Sequence, residues 1–325
     1  MTIPFNNDWL FTSDYDAGFD NAETVRLPHT VREIPYNYID CQDYQMLCGY
    51  KKSFFVPEDW QGKRILLRFD GAAHDATVYC NSKLAAHHAC GYTAFTADLT
   101  EFLKFGQENT VTVRLDTRES LNIPPFGFVI DYLCYGGLYR DVELEVRNST
   151  YIKNVLIENT GLRDISVSID TSGKLKVSKL VAEIFDADGK VAASAMGVKF
   201  KLTVPDGKLW SPDNPYLYTL KAKMVDGDTV LDEKSYRFGL RTVKFENDGF
   251  YLNGKKMKLR GLNRHQSFAY TGYAMPKSMQ RLDADILKNE LGVNAVRTSH
   301  YPQSQHFIDR CDELGLLVFT EIPGW

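Results

Sequence analysis

The chain has 325 residues, 44% of them hydrophobic and 25% charged, with a formal net charge of −4. That length supports two or three domains, each with its own core, and the slightly acidic balance argues against a nucleic-acid surface. No stretch approaches the ~18 continuous apolar residues of a membrane span, and Met1 to Leu10 lacks the basic start and apolar run of a signal peptide.

One compositional skew remains, 18 Tyr and 19 Phe. Strand-rich domains explain it without a ligand; stacking on sugar rings is the second reading. The six cysteines (41, 48, 80, 90, 134 and 311) form no CxxC pair, which reads as reduced, mostly buried thiols in a cytoplasmic protein. His87, His88 and Cys90 resemble part of a metal site, but no second cluster accompanies them, so they read as turn or surface residues.

Residues 1–148 read as strands separated by turns. Arg64–Phe69 runs into Asp70-Gly71, and Ala76–Asn81 is followed by a turn at Asn81-Ser82-Lys83. Thr110–Leu115 and Asp141–Val146 alternate with period two, which buries one face and wets the other. This spacing, with little helical periodicity, indicates a β-sandwich of jelly-roll type.

A second β block spans 149–243, with strands at Ile165–Ile169, Leu180–Phe185 and Tyr216–Leu220. Turns at Asp186-Ala187-Asp188-Gly189, Pro205-Asp206-Gly207 and Asp226-Gly227-Asp228 punctuate it. About seven short strands fit an immunoglobulin-like sandwich.

After Lys244 the period changes. A hairpin entry at 247–254 leads to a strand at Lys258–Leu262. A helix over 276–291 follows, with Met279, Leu282, Ile286 and Leu287 on its apolar face. Val293–Arg297 is a strand, Phe307, Ile308, Cys311 and Leu314 mark a second helix, and Leu316–Thr320 is a third strand. Glu290-Leu291-Gly292-Val293 recurs as Glu313-Leu314-Gly315-Leu316, and each copy is a helix end, a glycine cap and a strand start. This is the rhythm of a parallel β/α barrel, whose strands are buried on both faces. Residues 244–325 supply three strands and two helices where a closed barrel needs eight of each. An unclosed barrel leaves a bare edge after Thr320, so this segment is expected to be the least stable, or covered by a partner chain.

Barrel active sites form at the C-terminal ends of the strands. The three strands deliver Asn263-Arg264-His265, then Arg297 to His300, then Glu321. Convergent Arg, His and Asn supply directional donors and acceptors for a ligand rich in hydroxyls.

From Phe238-Gly239-Leu240-Arg241 through Arg260–His265 and Asn294–Pro302 to Glu321, the sequence resembles the start of the catalytic barrel of family 2 glycoside hydrolases, the β-galactosidase, β-glucuronidase and β-mannosidase group. Gly91–Phe95 and Gly136–Val142 resemble the family's sugar-binding domain, so the likeness covers essentially the whole chain. It implies that Asp131, nine positions before Arg140, reaches the barrel mouth and binds sugar hydroxyls, as do His265 and His300. It further implies that Arg297 holds the nucleophile carboxylate ionised, that Asn263 and Arg264 shape the pocket floor, and that Glu321 is a hydrogen-bonding group at the barrel mouth.

The family's chemistry is retaining, with two glutamates ~5 Å apart. Both are expected on later strands, beyond Trp325. The resemblance therefore implies the N-terminal portion of an exo-β-glycosidase, first of all a β-galactosidase, which is inactive by itself. A β-glucuronidase, a β-mannosidase and a non-catalytic carbohydrate-binding protein are the alternatives. Mg²⁺ and a monovalent cation are implied for a full-length enzyme, with no cofactor held by this part. The expected partner is a carbohydrate rather than nucleic acid or membrane, and homo-oligomerisation stays open.

Overall fold

A computed structural model describes every residue except 34, 36, 38, 39, 128, 174–178 and 325. Trp325, beyond which the catalytic glutamates are expected, thus lies outside the described residues.

Two antiparallel sheets build the first sandwich. One orders Thr2–Pro4, Val142–Arg147, Arg64–Phe69 and Phe95–Asp98. The other orders Glu23–Val25, Trp9–Thr12, Leu47–Val56, Gln107–Asp116, Asp75–Cys80 and Lys83–Ala89. Gln107–Asp116 buries every second residue from Asn109 on, as its period demands. Asn81 and Ser82 both take positive φ, 48° and 66°, which gives the two-residue hairpin turn that follows the strand twist. Trp9, Tyr50, Ile65, Leu67, Val78 and Val113 fill the space between the sheets. Glu145 departs from the expected alternation and is buried. Its Oε2 accepts from Arg147 Nε at 2.9 Å, and Arg147 also reaches Asp232 of the next sandwich.

The second sandwich has seven strands among the described residues. Ile152–Asn159, Asp164–Thr171 and Lys199–Thr203 face Val191–Met196, Lys179–Phe185, Tyr218–Asp226 and Thr229–Phe238. Ile165, Val167, Leu180, Ile184, Leu220 and Met224 form its core. Its turns lie where Asp and Gly mark them: Asp186 Oδ1 accepts from the Asp188 and Lys190 amides at 3.0 and 2.8 Å.

A small antiparallel sheet (Val243–Glu246, Gly249–Leu252, Lys255–Met257) leads into the parallel one. That sheet orders Gly261–Asn263, Ala295–Arg297 and Leu317–Phe319, with helices Lys277–Asp285 and Gln305–Leu314 between them. The described residues form no closed barrel, and the third strand pairs on one side only.

Two expectations need correction here. The first strand begins at Gly261 rather than Lys258. The first helix ends at Asp285 and runs on as a π-helical turn, Ile286–Glu290, and its buried face is Gln280, Ala284 and Leu287. Leu282 is exposed; Gln280 takes the inner position because it accepts a hydrogen bond from buried Arg264. The strands keep a bare apolar face, as an unclosed barrel implies. Leu262 and Phe319 are 48% and 40% exposed, because the helices shield one face only.

Candidate functional site

Parallel register sets the site. Asn263 lies opposite Arg297, and Arg297 opposite Phe319, so the three strand ends reach one level. Arg297 Nε contacts Glu321 Oε1, and its Nη2 lies 3.4 Å from His300 Nδ1. His300 Nδ1 is also 3.2 Å from Glu321 Oε2. Arg297, His300 and Glu321 thus form one bonded group. The rings of His265 and His300 lie 5.5 Å apart. Asn263 and His265 are exposed at the edge of this wall.

Arg264 points the other way. It is 6% exposed, with its guanidinium 4.0 Å above the Phe307 ring. It donates to Asp283 Oδ2 at 2.6 Å and Gln280 Oε1 at 2.8 Å, and Gln303 completes the cage. Strand alternation accounts for this: Asn263 and His265 face out while Arg264 braces the floor from beneath.

Asp131 comes from the jelly roll and is exposed. It lies near enough to His265 to act on its protonation. Burial lowers the pKa of His265, the neighbouring His300 lowers it further, and Asp131 and Glu321 oppose both. His265 is therefore neutral at pH 7.

Three residues at this site were not singled out from the sequence. Tyr132 places its ring 5.2 Å from His265 and 5.7 Å from His300. Tyr301 hydrogen-bonds His265 Nδ1 through its Oη at 3.2 Å and stacks flat on Tyr92 of the jelly roll, 4.1 Å away. Arg140, 8% exposed, donates to Gln266 Oε1 at 2.7 Å and to the Pro302 carbonyl at 2.8 Å, while its other arm holds the Asp70 and Tyr92 carbonyls. Only their adjacency to Asp131, His300 and the Gly136–Val142 run could have drawn attention to them.

Among the described residues no three His, Cys, Asp or Glu side chains converge to hold a metal ion. His87 bonds Asp75 at 2.7 Å, and His88 bonds Thr93 at 2.8 Å. Cavities among the described residues lie elsewhere too. One of 780 Å³ separates the jelly roll from the first barrel helix at Arg26, Lys277 and Arg281. Another, of 400 Å³, runs along Phe245 and Phe319. No helix among the described residues is long and apolar enough to cross a membrane.

Three family models match in succession: glycosyl hydrolases family 2 sugar binding domain over 15–147, glycosyl hydrolases family 2 over 141–241, and its TIM barrel domain over 243–324. A β-galactosidase of Thermoanaerobacter pseudethanolicus is 43% identical over 99% of this chain and 46% of its own length. A β-glucuronidase of Bacteroides fragilis is 30% identical over 99% of this chain and 49% of its own. The solved β-D-glucuronidase of Dictyoglomus thermophilum superposes with a TM-score of 0.86 at 28% identity, covering 99% of this chain and 58% of that one. The chain spans about half the length of the curated relatives it matches.

Proposed function

This chain belongs to glycosyl hydrolases family 2, and from that premise we propose that it is part of a retaining exo-β-glycosidase acting on terminal β-galactosides. The wall at the strand ends carries the reading: Asn263, His265, Arg297, His300 and Glu321 on one side, with Asp131 opposite His265. Imidazoles, an amide and carboxylates offer the mixture of donors and acceptors that sugar hydroxyls need.

Retaining hydrolysis needs one carboxylic acid to protonate the leaving oxygen and one carboxylate to attack the anomeric carbon. We assign Glu321, engaged by Arg297 and His300, to neither task, because the resemblance puts both glutamates on later barrel strands. We therefore assign residues 1–325 to holding the sugar, with no turnover of their own.

The 43% identity with a β-galactosidase, against 30% with a β-glucuronidase, supports the galactoside. Superposition on a solved β-D-glucuronidase is the observation that favours a β-glucuronide as the second reading. Six free thiols support a cytoplasmic location.

The experiment is ligand-observed NMR on the purified 325-residue chain with methyl β-galactoside, β-glucuronide and β-mannoside. Saturation transfer to the galactoside, lost in H265A, is the expected result. Response to the glucuronide alone would replace the galactoside reading, and turnover of a nitrophenyl β-galactoside would overturn the assignment of the chemistry elsewhere.

A further inference from the structure

His265 carries its ligand-facing role on a ring whose two nitrogens are not equivalent. Nδ1 lies 3.2 Å from Tyr301 Oη, which leaves Nε2 for a ligand. Tyr301 is fully buried, and burial holds its phenol well above the ordinary tyrosine range, so it keeps its proton. Tyr273, whose own hydroxyl donates to the Leu133 carbonyl at 3.1 Å, and the Gln266 backbone act on the same phenol and lower its pKa, but burial outweighs them. A protonated phenol has an O–H to give, and Nδ1, which accepts only when it carries no proton, lies beside it at 3.2 Å.

We propose that Tyr301 fixes His265 as the neutral tautomer protonated on Nε2, and that the jelly roll holds this setting through Tyr92 and Tyr132. His265 then meets a sugar hydroxyl as a donor, and the hydroxyl oxygen is the acceptor. The tyrosines are positioning residues and do not touch the ligand. Tyr92 lies parallel to Tyr301, 4.1 Å away with 3° between the planes, so Oη cannot swing without breaking the stack. Tyr132 closes the other side at 5.2 Å from His265 and 5.8 Å from Tyr301.

The charged and titratable neighbours agree. Asp131 and Tyr132 come from the jelly roll, His300 and Tyr301 from the loop after the second barrel strand, and Glu321 from the end of the third. A proton on Nδ1 would face the Tyr301 hydroxyl head-on and remove the acceptor that His265 offers it, so protonation of His265 costs that bond.

This proposal rests on the sugar-holding reading only for the ligand; the tautomer is measurable without one. Long-range ¹H–¹⁵N spectra of the imidazoles should show the Nε2–H form of His265 predominating between pH 6 and 8, as read at about the ordinary titration range of histidine. In Y301F, which keeps the stack, both tautomers should appear and the His265 pKa should rise. Affinity for methyl β-galactoside should fall roughly fivefold, the equivalent of one hydrogen bond. Y92F and Y132F keep their rings and should leave the tautomer unchanged. An Nδ1–H tautomer in the unmutated chain overturns the proposal, as does a Y301F spectrum like that of the parent. A fixed Nε2–H form in a chain that binds no sugar sinks the functional reading and upholds this one.

Discussion

At the mouth the barrel segment is built into the jelly roll, while at its far edge it is bare. Tyr273, Ala274 and Tyr301 belong to the same buried cluster as Trp9 and Tyr50. Leu317–Phe319 pairs with one neighbour, and beyond it Ile322 is 82% exposed. Both regions flank one three-stranded sheet. The difference teaches that the candidate wall takes its shape from the neighbouring sandwich, through the Tyr92–Tyr301 stack and Arg140, and not from barrel closure.

The strongest way to break that comparison is Tyr301→Ala. It removes the stacked ring and should cost about 3–5 kcal/mol, as for other large buried aromatics, read by urea unfolding. A loss below about 1 kcal/mol would mean the seam does not matter. Arg140→Ala comes next. It strips donors from Gln266 Oε1 and from the Pro302, Tyr92 and Asp70 carbonyls, for about 2–3 kcal/mol. Lysine should recover little of this, because it lacks the planar fork.

Amide exchange sharpens the other half. Leu317–Phe319 should exchange at least about tenfold faster than Gln107–Asp116, which is paired on both sides. Equal protection in a proven monomer would contradict the bare edge.

The smallest effect is one of pH. Burial alone would raise the pKa of Glu313, but Arg281, Arg310 and Arg237 outweigh it and lower the carboxyl to about 2. A depressed carboxyl stabilises the fold above its unfolded value near ~4.3 and loses that contribution as pH falls toward 2. About 1 kcal/mol should disappear over that window, and E313Q should flatten the profile.

Much of this was legible in the sequence. Alternation at Thr110–Leu115 and the Asn81-Ser82 turn write their structure locally, because period and positive φ are properties of neighbouring residues. Gly315 is legible too as a helix cap, with φ 76°. Its second role is not: a Cβ there would lie 2.6 Å from the Pro212 carbonyl of the other sandwich. The wall residues His265, Arg297 and His300 were found from their strand ends. Tyr132, Tyr301 and Arg140 were missed because their contacts join residues far apart in the chain. Leu282 misled for the same reason, since a buried arginine elsewhere decides which helix face turns inward.

The Tyr92–Tyr301 stack has a consequence for how the molecule is made. A ribosome delivers Tyr92 long before Tyr301, and domains tend to fold in the order they emerge. The nascent jelly roll must therefore wait with an aromatic slot unfilled while the second sandwich is synthesised. Only when the second barrel strand and its loop arrive can Tyr301 enter and Arg140 find Gln266 and Pro302. Completion of the first domain is thus a late event in the life of the chain.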